Sequence, residues 1–199
     1  MVNDRLVWYL ESNKLLTSVQ CGFRKCRSST DHLVRLETFV REAFVQRQHC
    51  VAVFFDLEKA YDTTWKYGVM KDLHDAGLRG RLPLFIEGFL SDRQFQVRLS
   101  AYYSQLFDQE MGVPQGSILS VTLFGLKINS IVKAISPGVE CSLCEDDLLI
   151  WYRSNISTSS RDTFNAVSIN SLSGQTLMAS NSLLLKQFAC TFADSINHI

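Results

Sequence analysis

Three carboxylates, Asp56, Asp146 and Asp147, are the residues of this sequence whose type and setting could carry chemistry. Asp56 closes the uninterrupted apolar run Val51-Ala52-Val53-Phe54-Phe55, and Asp146-Asp147 follow Glu145 between two apolar arms. A charge at the rim of a core is costly unless it is solvated, paired or bound to a metal. Singly, each has a plain explanation: an acid just past a strand end, and acids in a solvated turn. Side by side they would make a cluster of hard oxygen donors, the kind that Mg²⁺ occupies while keeping water and substrate phosphates as its other ligands.

The elements that must position them follow from the pattern of apolar residues. Residues 51–55 read as a strand covered on both faces. Residues 139–152 read as a hairpin with Glu145-Asp146-Asp147 at its tip. Upstream, Leu6, Val7, Leu10 and Leu15 suit an amphipathic helix within 3–16, with no cap at its start. Ser29-Thr30-Asp31 supplies capping oxygens for a second helix, whose apolar stripe is Leu33, Leu36, Val40, Ala43 and Phe44. Residues 63–73 and 82–90 read as helices divided by Gly77-Leu78-Arg79-Gly80, with Pro83 in the first turn of the second. The alternation in Phe95-Gln96-Val97-Arg98-Leu99 predicts a half-buried strand, with its partner within 102–111. Gly112-Val113-Pro114-Gln115-Gly116-Ser117 is a loop that lets backbone approach a ligand, and 118–135 is a strongly apolar helix stopped by Pro137-Gly138.

With 199 residues, 46% apolar and 20% charged, the chain can bury a sizeable core. It has no run near the roughly 20 apolar residues of a membrane span and no basic-then-apolar secretory start, so an intracellular protein with no membrane contact is expected. The six cysteines show no framework spacing and read as reduced thiols. Cys141-Ser142-Leu143-Cys144 reads as strand residues rather than a zinc site, lacking a second pair. The formal net charge is zero, which speaks mildly against a nucleic-acid enzyme unless cations cluster. They do so once, at Arg24-Lys25-Cys26-Arg27, where a glycine- and serine-containing loop could hold phosphate oxygens.

In this order, the pieces resemble the reverse-transcriptase domain of non-LTR, LINE-type retrotransposons, particularly the jockey-like elements of arthropods. The residues that carry the resemblance are Gln20-x-Gly22-Phe23-Arg24 with Ser29-Thr30-Asp31, then Phe55-Asp56-Leu57-Glu58-Lys59-Ala60-Tyr61-Asp62, Phe89-Leu90-Ser91-x-Arg93, Gly112-Val113-Pro114-Gln115-Gly116-Ser117, Leu123-Phe124 and Asp146-Asp147. Each is weak alone and the ordered set is very specific, spanning residues 3–153. The resemblance implies an α+β fold: a right-hand polymerase palm with partial fingers, its antiparallel sheet packed on helices, and no thumb. It divides the chain into partial fingers (1–50), palm (51–153) and a divergent tail (154–199).

By the same resemblance, Asp56, Asp146 and Asp147 would bind two catalytic Mg²⁺ ions, with Mn²⁺ as an alternative, for nucleotidyl transfer to a primer 3′-hydroxyl. Tyr61 would support the nucleotide sugar, with core packing as its plainer reading. Gln115 and Gly116 would lie under the new base pair, and Arg24 and Lys25 would meet template or triphosphate. The implied partners are an RNA template, a DNA primer and deoxynucleoside triphosphates. Two readings compete: a non-catalytic RNA-binding relic, and a group II intron maturase-like domain, against which the jockey-like wording of the motifs argues.

The chain also departs from the family. Its tip is Cys144-Glu145-Asp146-Asp147 where the family has Tyr-Ala-Asp-Asp, so an aromatic is lost and a fourth acid gained; impaired catalysis is expected. A first fingers motif is expected before Met1. After Ser154 the sequence turns rich in Ser, Asn and Thr, giving little to pack. Read two bases out of frame with permitted codons, residues 173–182 yield Trp-Ser-Asp-Ala-Asn-Gly-Phe-Lys-Phe, the turn the family carries there. A frameshifted tail that need not fold is the expectation.

Overall fold

The apolar run before Asp56 forms strand β1 (His49–Leu57), and it lies inside a sheet with a partner on each side. The computed structural model describes residues 1–57, 59–135, 138–154 and 185–192. In chain order the elements are α1 (Val2–Ser12), α2 (Ser29–Val45), β1, α3 (Lys66–Asp75), α4 (Arg81–Leu90), the two-residue strands β2 (Gln94–Phe95), β3 (Arg98–Leu99), β4 (Tyr102–Tyr103) and β5 (Phe107–Asp108), then α5 (Ile118–Ile128), a 3₁₀ helix (Asn129–Ala134), β6 (Glu140–Cys144), β7 (Asp147–Ser154) and β8 (Leu185–Phe192). The four long strands lie in the order β6-β7-β1-β8, and every neighbouring pair is antiparallel.

Both faces of β1 are buried, as a continuous apolar run requires. Val51, Val53, Phe55 and Leu57 pack with Leu143, Leu148 and Ile150 against Phe124 and Ile128 of α5. On the other face Cys50 and Ala52 join Leu149 and Trp151 under Phe39 and Ala43 of α2. A separate core gathers Leu6 and Leu10 of α1, Val69 and Leu73 of α3, Ile86 and Leu90 of α4, and Leu119 and Leu123 of α5. Among the described residues no helix is long and apolar enough to cross a membrane.

Three expectations need correction. The buried stripe of α2 is rotated: Leu33 is 61% exposed, while His32 is buried and hydrogen-bonded through Nδ1 to Ser142 Oγ at 2.8 Å. A polar partner in the core turns the helix towards His32. The apolar segment 118–135 is two helices, because Asn129 reaches out to the turn after α1: its Oδ1 accepts from Thr17 N at 2.5 Å and its Nδ2 donates to Leu15 O at 2.9 Å. The alternating segment 95–99 is in the exposed ribbon β2–β5, whose Leu99 and Tyr102 are 78% and 80% exposed, rather than half-buried. Within the tail that need not fold, β8 pairs with β1 from Cys50↔Phe192 to Leu57↔Leu185. Residues 155–184 and 193–199, on which the rest of the frameshift expectation falls, lie outside the described residues.

Candidate active site

Asp56 is exposed between buried Phe55 and Leu57, so the strand that hides its neighbours delivers this carboxylate to the surface. Register then chooses its company. The last paired residues of β1 and β7 are Phe55 and Leu148, and the next residue on each strand is Asp56 and Asp147. Opposite residues of an antiparallel pair share a face. Phe54 and Leu149 belong to the α2 side, so Asp56 and Asp147 continue that side beyond the core. Asp146 sits in the two-residue turn between Cys144 and Asp147, which are paired, and Glu145 opens that turn at φ 60°.

The electrostatics agree with this convergence. The Asp147 carboxyl is raised above its ordinary pKa by burial, then by the charges of Asp146 and Asp56. Glu145 is raised by burial, then by Asp146 and Asp147. The Tyr61 hydroxyl is pushed up to about 12 by burial, with the charges of Glu145 and Asp146 adding to it. Its ring stacks on Phe124 of α5 with centroids 4.8 Å apart.

The acids are gathered but not closed into a cage: among the described residues, no three His, Cys, Asp or Glu side chains form a ready-made metal site. As a donor set they fit a hard divalent cation, with oxygen ligands and mutual repulsion that a cation would relieve.

Gln115 and Gly116 are held beside this end of β1 by the turn that follows it. Val113 N–H donates to Tyr61 O and Gly112 N–H to Thr64 O, both at 2.8 Å, and Gln115 Nε2 donates to Asp62 Oδ1 at 2.8 Å. Gly112, at φ 88°, leaves no room for a side chain, since a Cβ would stand 2.7 Å from Asp62 O. Gly116, at φ 87°, has open space beside it.

The loop carrying Arg24 and Lys25 leans on the tip from the other side. Gln20 is bridged in parallel to Leu143, and Gly22 packs against Glu145. Arg24, expected to meet phosphates, is instead turned inward. Its Nε and Nη2 donate to the two carboxylate oxygens of Glu11 at 2.8 and 2.7 Å, and Nη1 donates to Thr17 O at 2.6 Å and Gln20 O at 3.2 Å. Lys25 and Arg27 are exposed. Sequence reasoning missed Glu11 and Asp62 as anchors of these loops. Glu11 stands outside every quoted motif, and Asp62, although it ends one, holds a residue 53 positions away.

An antiparallel sheet with helices beneath it and an acidic strand end beside an acidic hairpin is the architecture of a polymerase palm. The chain matches the family model "Reverse transcriptase (RNA-dependent DNA polymerase)" over residues 1–171, and it belongs to that family. Among curated relatives it is 29% identical over 150 residues to the RNA-directed DNA polymerase from mobile element jockey of Drosophila melanogaster, covering 75% of this chain and 16% of that one. It is 33% identical over 129 residues to the probable RNA-directed DNA polymerase from transposon BS of the same organism, covering 63% of this chain and 14% of that one. The chain thus spans about a sixth of the length of these relatives. The expected resemblance to jockey-like elements holds. Among solved structures, apo telomerase from Candida Tropicalis truncated from its C-terminal domain superposes with a TM-score of 0.69 at 15% identity, over 98% of this chain and 41% of that one. Telomerase from the same organism in complex with a fragment of telomeric RNA gives 0.70 at 14%, over 96% and 33%. At such identity the likeness is one of fold.

Proposed function

We propose that the chain provides the nucleotide-adding palm of an RNA-directed DNA polymerase, working inside the cell on an RNA template, a DNA primer and deoxynucleoside triphosphates. The observation that carries this reading is the register of the sheet, in which Asp56 and Asp147 come next after the last β1–β7 pair, Phe55 and Leu148, with Asp146 in the adjoining turn. Acids that crowd one another in this way favour a divalent cation over solvation alone.

Asp56, Asp146 and Asp147 would hold two Mg²⁺ ions, or Mn²⁺ in their place. Such ions supply charge stabilisation to the attacking and leaving oxygens of an in-line displacement. The rest falls to the protein. Tyr61, fixed by Phe124, offers a flat edge beside the tip on which a sugar can rest. Gln115, steadied by Asp62, and Gly116, open on its Cβ side, present a low surface to a base pair. Lys25 offers a cation to phosphate, while Arg24 positions the loop that carries it.

Incorporation of labelled deoxynucleotide on an RNA template with annealed DNA primer tests the reading. Mg²⁺-dependent extension is expected, abolished by Asp56→Asn. A template-binding relic without chemistry is the alternative. Template binding without any metal-dependent incorporation would select it.

A further inference from the structure

We propose that Cys21 and Cys144 form a redox latch, closing as a disulfide that ties the loop of residues 17–22 to the acidic tip. The geometry is that of a short parallel ladder. Gln20 is bridged to Leu143; Cys21 N–H donates to Leu143 O at 2.7 Å and Leu143 N–H donates to Val19 O at 3.0 Å. In a parallel ladder the following residues also stand opposite one another, which sets Cys21 against Cys144 and Gly22 against Glu145. The second pair is seen directly: a Cβ built on Gly22 would stand 2.6 Å from Glu145 Cγ and 2.9 Å from its Cα. Neighbouring strands run about 4.8 Å apart, within the roughly 4.4 to 6.8 Å that a disulfide spans between Cα atoms.

The side chains share a face as well. Cys21 Sγ lies 4.0 Å from Ser142 Oγ, and Ser142 precedes Cys144 by two residues, on the same side of β6. Cys141 points the other way, into the core with Leu143 and Ile150. The Cys-x-x-Cys spacing is therefore not the pair that the register selects. Cys21 is 1% exposed and Cys144 is half-buried, so Cys144 meets an oxidant and Cys21 resolves the product.

The chemistry is thiol–disulfide exchange with a low-molecular-weight disulfide such as oxidised glutathione. Cys144, having given up its proton, attacks one oxidant sulfur; that S–S bond breaks and one glutathione thiol leaves with a proton. Cys21, deprotonated in turn, attacks the Cys144 sulfur of the mixed disulfide and releases the second glutathione thiol. Two protein thiols are oxidised to one disulfide, and the oxidant is reduced to two thiols.

The test uses the full chain carrying Cys26→Ser, which removes an exposed competing thiol. It is incubated with oxidised glutathione and mapped by proteolysis and mass spectrometry. The expected result is a Cys21–Cys144 cross-linked peptide, with an unfolding midpoint above that of the reduced protein. Dithiothreitol should reverse both, and Cys144→Ser should show neither. A product that stops as a glutathione adduct on Cys144, pairs Cys144 with another cysteine, or leaves Cys144 unreacted overturns the latch. No step of this test needs nucleotide incorporation, so its outcome is separate from that of the polymerase reading.

Discussion

His32 Nδ1 and Ser142 Oγ stand 2.8 Å apart inside the molecule, joining the first turn of α2 to the strand that runs up to the acidic tip. Burial, and then the charge of Arg35, hold the imidazole below its ordinary pKa of 6.5. The unfolded chain therefore takes up a proton that the folded chain refuses. The stability this group contributes is whole above 6.5 and is lost as the pH falls from there through the lowered folded value. Urea unfolding should show a midpoint that drops between about pH 7.5 and about pH 5.5, and drops less in His32→Gln, which keeps a hydrogen-bonding group without the titration. Equal slopes in the two proteins would remove the imidazole from the account.

Gly112 and Gly116 share a left-handed backbone but not a neighbourhood, and this separates two effects. Alanine at 116 meets only backbone strain, on the order of 1–2 kcal/mol. Alanine at 112 meets the same strain and also drives a methyl group towards Asp62 O, adding about 1–3 kcal/mol of overpacking. Denaturation should therefore rank Gly112→Ala well below Gly116→Ala in stability. The reverse order would refute the packing of this loop on the 61–64 turn.

Arg24 and Lys25 are adjacent in sequence and opposite in role. Arg24→Ala frees a carboxylate, that of Glu11, which is partly in solvent, so the loss is about 1–3 kcal/mol rather than the full cost of orphaning a buried ion. Arg24→Lys should recover little, because one ammonium cannot make the forked contact. Lys25→Ala should leave the unfolding midpoint alone, weaken template binding, and lower the slope of log affinity against log salt by about 1. Salt titrations of both variants check the division.

Asp147 is a carboxyl raised by burial and then by the charges of Asp146 and Asp56, so its ionised form opposes folding: the folded chain holds the proton more tightly than the unfolded one, and this contribution favours the fold at low pH and fades as the pH rises through the raised value. Asp147→Asn should make the protein more stable at neutral pH while abolishing Mg²⁺-dependent incorporation. A variant that loses both stability and incorporation would recast Asp147 as a structural residue.

Glu145 lines a crevice with Gly22, Phe23, Arg24 and Phe124, and still loads the tip with charge. Like charge at about 4 Å costs on the order of 1–4 kcal/mol before screening. Glu145→Ala should raise the rate of primer extension several-fold. An unchanged rate would show that the fourth acid is harmless.

The acidic end of the sheet could be read from the chain because its signals are local. An apolar run that ends on Asp56, and two apolar arms around Glu145-Asp146-Asp147, state the strand ends and the turn in a few residues each. The rest depends on partners distant in sequence. The composition of Arg24-Lys25-Cys26-Arg27 announces a cationic loop, but only Glu11, in α1, decides that the first cation turns inward. Periodicity marks α2 as amphipathic, yet the hydrogen bond between His32 and Ser142 settles which side faces in. Alternation along 95–99 gives extended backbone correctly and says nothing of whether a core will arrive to cover one face. Leu185 to Phe192 carries no turn or acid to set it apart, and its place against β1 is fixed by a strand made long before it.

That last pairing has a consequence for synthesis. The strand bearing Asp56 leaves the ribosome before both its flanks, β7 and β8, which come from far downstream. Until then its backbone donors and acceptors are bare on both edges, a sticky ribbon for any other extended chain. Ordering of the sheet is thus a late, long-range event, slow for reasons of topology, and a nascent chain halted before Phe192 would present one raw edge to its surroundings.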